Sequence, residues 1–131
     1  AAGLNANFLL NVGPMPNGEI QSEFRDTLAL MGKWMQANGN SIYGTRGGVI
    51  APQNWGTITT KGNQYFVHIL KPAAVQQQYI FLPGFHPRIS AAQLFNSDKR
   101  IRFQQQAEGV FIYLDGVTLN DVDTIIQLNA Q

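Results

Sequence analysis

The hydrophobic period of this chain changes once, at Gly47-Gly48, and that change limits the folds open to it. Before it, Phe24, Leu28, Met31 and Met35 recur at the i, i+4, i+7, i+11 spacing of one helix face. After it the helical spacing disappears, and apolar residues come in short runs at 57–60, 64–71, 78–82, 101–105, 110–114 and 124–128. Residues 101–104 alternate apolar with polar, as a half-exposed strand does, and residues 65–70 are apolar on both sides apart from His68, as a central strand is. Lys61-Gly62-Asn63 and Glu108-Gly109 supply hairpin turns. The expectation is a mainly β fold: an antiparallel β-sandwich preceded by one strand and one helix.

The helix is placed at 21–38, with Glu23 and Asp26 near its start and Gly39 at its end. Leu30 and Trp34 add a second apolar stripe about 100° around the axis, so more than one neighbour is expected to pack on it. The strand is placed at 7–12, where residues 8–12 form a nearly continuous apolar run of the kind buried on both faces of a parallel sheet. The run has no sheet of its own to join, as expected if a longer protein precedes it. Gly13 to Gly18, with Pro14, Pro16 and Asn17 between, reads as a loop. It is not a phosphate cradle, because Glu19-Ile20 stands where that motif needs Lys and Ser or Thr.

Composition narrows the function. Of 131 residues 44% are hydrophobic, enough for a packed core, and only 13% are charged. Nine Lys and Arg nearly cancel eight Asp and Glu, so no basic field exists for nucleic acid or anionic lipid, and a neutral partner or substrate is expected. With no cysteine, disulfides, thiol catalysis and thiolate zinc sites are excluded. No apolar stretch is long enough to cross a bilayer as a helix. The chain has no Asn-x-Ser/Thr acceptor.

Few residues suggest chemistry. His68 lies in a strand and His86 in a Gly-Phe-His-Pro loop, without the spacing of a two-histidine metal site, so a packed or hydrogen-bonded His68 and an exposed His86 are favoured. Asp121 and Asp123 could share a strand face, yet solvated edge or turn carboxylates are the preferred reading. Trp55, with Pro52 and Tyr43 nearby, either packs between domains, the favoured reading, or stacks on a sugar.

Two segments go further. Asn7-Phe8-Leu9-Leu10-Asn11-Val12-Gly13-Pro14, then Asn17-Gly18-Glu19-Ile20, then Gly32-Lys33-Trp34 and Asn38-Gly39-Asn40-Ser41-Ile42-Tyr43-Gly44-Thr45 closely resemble the end of the catalytic domain in α-L-fucosidases of glycoside hydrolase family 29. Similarity continues through Trp55-Gly56, Thr60-Lys61-Gly62, residues 65–70, Leu82-Pro83 and Val122-Asp123-Thr124-Ile125. The resemblance implies a retaining exo-hydrolase that removes terminal L-fucose, built as a (β/α)8-like barrel with a C-terminal sandwich. Residues 1–46 would then end the barrel, and residues 47–131 would be the sandwich. The family's nucleophile, acid/base and fucose-gripping residues come from upstream, so no catalytic, substrate-binding or metal residue is assigned here, and no cofactor. The partners implied are the remainder of the barrel and, through the parent enzyme, a fucosylated glycan, with no nucleic acid and no membrane insertion. Family members work in secreted, periplasmic or lysosomal settings. Asn11 would lie near the pocket rim, where a bond to backbone groups is favoured over a role behind the active site. The rival reading makes the sandwich a carbohydrate-binding module; it needs an exposed aromatic among Trp55, Tyr79 and Phe85.

Overall fold

The computed structural model describes all 131 residues. One helix, α1 (Ser22–Asn38), precedes seven strands: β1 (Gly56–Lys61), β2 (Gln64–Ile69), β3 (Tyr79–Pro83), β4 (Ile89–Leu94), β5 (Phe103–Gln106), β6 (Gly109–Tyr113) and β7 (Thr124–Ala130). They form a four-stranded sheet, ordered β1-β2-β7-β4, and a three-stranded sheet, ordered β3-β6-β5. All pairs are antiparallel.

The core lies between the sheets because alternate residues of each strand point the same way. Ile58, Val67, Ile69, Ile126 and Leu128 come from one sheet, Ile80, Leu82, Val110 and Ile112 from the other, and Trp55 and Phe85 join them from outside the strands. The β1–β2 turn places Gly62 at φ 61°, the positive value that a two-residue hairpin loop with glycine at its first position requires.

Six strands fall where the apolar runs predict them, and β4 does not. Its register shifts between Ile89 and Ala91, so the inward residues Ile89 and Ala92 stand three apart and period-two alternation is broken. Small residues at 90–92 weaken the signal further.

The first 46 residues differ from expectation in two respects. Residues 7–12, expected as a strand, make no ladder within this chain; the nearest pairing is an isolated bridge between Pro14 and Ile20. A strand needs a neighbour for its N–H and C=O groups, and the sandwich strands are paired among themselves. Phe8 and Leu9 are consequently 69% and 92% exposed. Helix α1, expected to carry neighbours on two stripes, buries no residue fully, and Phe24, Leu30 and Met31 face outward.

Gly39 also departs from the usual helix stop. Its φ of −56° is right-handed, and the chain runs on into a 3-10 turn, Gly39–Ser41. Space accounts for the glycine: an added Cβ would sit 2.7 Å from the Tyr43 ring.

Candidate functional site

The side chain with the most unusual surroundings is His68. It sits on β2, on the sheet face turned away from the sandwich core, and is 2% exposed. Its Nδ1 lies 2.7 Å from Asp123 Oδ2, and its Nε2 lies 3.1 Å from Thr59 Oγ1 on β1. Thr59 in turn donates to the Ser41 carbonyl at 2.6 Å. Thr59 has one proton to give, so its contact with His68 is made with Nε2–H as donor. The contacts then run as one chain, Asp123–His68–Thr59–Ser41.

Each member is placed by local structure. Antiparallel pairing sets Thr57 opposite His68 and Thr59 opposite Phe66, so Thr59 and His68 are diagonal neighbours on one face. Asp123 is aimed by an Asx turn. Asn120 Oδ1 accepts from the backbone N–H groups of Val122 and Asp123, and Asn120 Nδ2 donates to the Asp123 carbonyl. Ser41 ends the 3-10 turn beyond α1, and its hydroxyl donates back to the Asn38 carbonyl. The chain of bonds thus joins three parts of the molecule: the end of the helical segment, the β1–β2 hairpin and the loop before β7.

The order carboxylate, imidazole, hydroxyl resembles the acid–base–nucleophile order of hydrolytic triads, but the hydroxyl is unsuited to attack. Thr59 is 1% exposed and its proton is committed to Ser41. What this arrangement does is hold buried polar groups in fixed register, since a buried polar group left unpaired is costly. Asp123 Oδ1 remains without a partner, at the edge of a cavity of about 330 Å³ walled by Trp34, Ile42, Leu70 and Val122.

The other residues singled out from the sequence do not come together. Asp121 and His86 are exposed, as expected of them. Asp123 is buried and paired, which corrects its reading as a solvated edge or turn carboxylate. Its pattern, a carboxylate just before an apolar strand, carried no mark of the distant histidine. Trp55 and Phe85, at 5% and 1% exposure, belong to the core of the sandwich, so neither can be a sugar platform; Tyr79 is 37% exposed and can. Tyr43 is exposed beside Gly39. Asn11 is exposed and lines a shallow groove with Leu10, Phe24 and Leu28, where residues 10–13 lie along α1. No helix is long and apolar enough to cross a membrane.

Known proteins give this architecture a class. The α-L-fucosidase family profile matches residues 1–40. Human plasma α-L-fucosidase is 33% identical over 122 residues, 88% of this chain and 26% of that protein. Mouse tissue α-L-fucosidase is 32% identical over 80 residues, 61% of this chain and 16% of that protein. Among solved structures, α-L-fucosidase isoenzyme 1 from Paenibacillus thiaminolyticus superposes with a TM-score of 0.83 at 33% identity, over 99% of this chain and 32% of that one. A family 29 α-L-fucosidase from Bacteroides thetaiotaomicron, trapped as a covalent intermediate, shares the fold with a TM-score of 0.77 at 18% identity. All of these similarities are to glycosidases. The chain belongs to the α-L-fucosidase family, and it spans about a quarter of the human plasma enzyme and about a third of the Paenibacillus one.

Proposed function

We propose that this chain is the non-catalytic, C-terminal portion of a retaining exo-α-L-fucosidase, an enzyme that hydrolyses terminal L-fucose from glycans. Residues 1–46 supply the end of its catalytic barrel and residues 47–131 the sandwich that supports it. The observation that carries this reading is the superposition of 99% of the chain on only 32% of a fucosidase of the same family.

The chemistry of the chain agrees. Retaining glycosidases need two carboxyl groups about 5–5.5 Å apart across the sugar. Here Asp123 is buried against His68 and Asp115 is engaged by Arg102, while Glu19, Glu23, Asp26, Asp98, Glu108 and Asp121 are scattered over the surface. The trapped covalent intermediate of the Bacteroides relative supports retention. The outward Phe8, Leu9, Leu10, Phe24 and Leu30 form the apolar surface that the remainder of the barrel covers in this reading. The other partner is the fucosylated glycan held by the parent enzyme, with nucleic acid and membrane insertion no part of its work; the setting is secreted, periplasmic or lysosomal.

The test is hydrolysis of a chromogenic α-L-fucoside by the 131-residue chain beside its full-length parent. A silent chain with an active parent is expected, and turnover by the chain alone overturns the reading. Proton NMR of the first anomer released by the parent checks retention, which an inverted product would refute.

A further inference from the structure

The sandwich carries another concave surface, beside strand β3. We infer that the cleft between the Asn54-Trp55 turn, residues 74–77 and strand β3 is a binding site for a neutral saccharide. It encloses about 400 Å³, within the ~300–1,000 Å³ usual for small-molecule sites. Its floor includes the edge of buried Trp55, and its wall includes Tyr79 and Phe81 from the outer face of β3.

Two properties of the lining choose the ligand. The first is that no Asp, Glu, Lys, Arg or His lines the cleft, so an ionic ligand would find no counter-charge. The second is that the polar groups are side-chain amides. Asn54, Gln76 and Gln77 each bring one acceptor and two donors, and none is bonded to another protein side chain. Sugar hydroxyls are donors and acceptors together, which is the pattern amides match, while the C–H face of a pyranose suits an aromatic ring.

Tyr79 provides that ring in a fixed position. Its centroid is 5.5 Å from Phe111 at 66° and 6.4 Å from Tyr113 at 62°. Phe81 packs on Phe111 in turn, with centroids 4.6 Å apart. A ring already braced by neighbours loses little freedom on binding. These aromatics lie on the outer face of the three-stranded sheet, and none of the residues lining the cleft belongs to the apolar surface given above to the barrel.

The inference rests on the cleft and not on catalysis, so its failure and that of the fucosidase reading are separable. The 131-residue chain, labelled with 15N, is titrated with the neutral trisaccharide 2′-fucosyllactose, with cellotetraose and with 3′-sialyllactose. The expected result is shifts at the Asn54, Gln76 and Gln77 side-chain amides with a neutral sugar, saturating at millimolar concentration. Tyr79→Ala should weaken binding about tenfold or more, equivalent to ~1.4 kcal/mol, while Tyr79→Phe, which keeps the ring, should stay within about threefold of wild type. Matching circular dichroism and thermal unfolding would show that the variants fold. No shift with either neutral sugar at tens of millimolar overturns the inference, as does binding that survives Tyr79→Ala or that requires the sialylated sugar.

Discussion

The two outer faces of the sandwich are built from opposite materials. On the four-stranded sheet, Thr59, Phe66, His68 and Ile125 point away from the core, and all are buried. On the three-stranded sheet the matching residues, Tyr79, Phe81, Phe111 and Tyr113, are only partly covered. The first face is closed by other segments of the chain: the 3-10 turn after α1 through Ser41, the loop before β7 through Asp123, and Asn96, whose side chain donates to the Ala37 carbonyl at the helix end. The second face meets solvent. Polar groups on the closed face must therefore be paired, whereas the open face offers aromatic rings and amides to whatever binds there.

That contrast predicts where substitutions hurt. Asp123→Ala should have the largest effect, because it strands His68 in a buried site: a loss of ~3–5 kcal/mol in unfolding free energy is expected, by the usual penalty for removing one partner of a buried pair. Urea denaturation of the 131-residue chain measures it, and a loss under ~1 kcal/mol would mean that the pair is open to water and the faces are more alike than described. A double-mutant cycle with His68→Ala should show strong coupling, since both substitutions remove the same bond.

Thr59→Val keeps the shape but leaves the Ser41 carbonyl and His68 Nε2 without their partner. The expected loss is ~1–3 kcal/mol, again by urea denaturation. Because Thr59 ties the hairpin to Ser41, amide exchange at 39–45 should quicken more than exchange in β3, β5 or β6. Equal quickening in both sheets would show that the bond stabilises the sandwich as a whole.

Asn96→Ala removes one exposed bond to the end of α1. It should cost ~0.5–1 kcal/mol, with faster exchange confined to the last turn of the helix, and a loss as large as that of Thr59→Val would contradict the ranking.

The two faces were unequally legible in the sequence. Core strands announce themselves locally: Ile80 and Leu82, or Val110 and Ile112, alternate with outward residues inside one short window. Strand β4 breaks that rule through its bulge. The pairing of His68 with Asp123 spans 55 residues, and no local pattern can report a contact set by which strands become neighbours. What the sequence did show was a histidine alone in an apolar strand, which requires a partner without naming it. Residues 7–12 teach the complementary lesson, since their apolar pattern specifies a strand while pairing depends on a neighbour that this chain does not supply. The open face was partly readable, through Tyr79, but Trp55 and Phe85 are aromatics of the same kind that end in the core.

The smallest effect is expected from Arg102→Ala, at the rim of the open face. Arg102 lies 3.9 Å from the centroid of the Tyr113 ring and reaches Asp115 at 2.6 Å, so it joins a cation–π contact to an ion pair. Both side chains are more than half exposed, at 67% and 52%, and water competes for each charge. The change in stability should fall within ~1 kcal/mol and shrink further in 0.5 M salt, which thermal unfolding at two ionic strengths can read. Tyr113 also donates its hydroxyl to Gln104 Oε1, and that bond survives the substitution. A loss comparable to Asp123→Ala would place Arg102 in an environment as dry as that of His68, and the open face would then need a partner covering it even in the isolated chain.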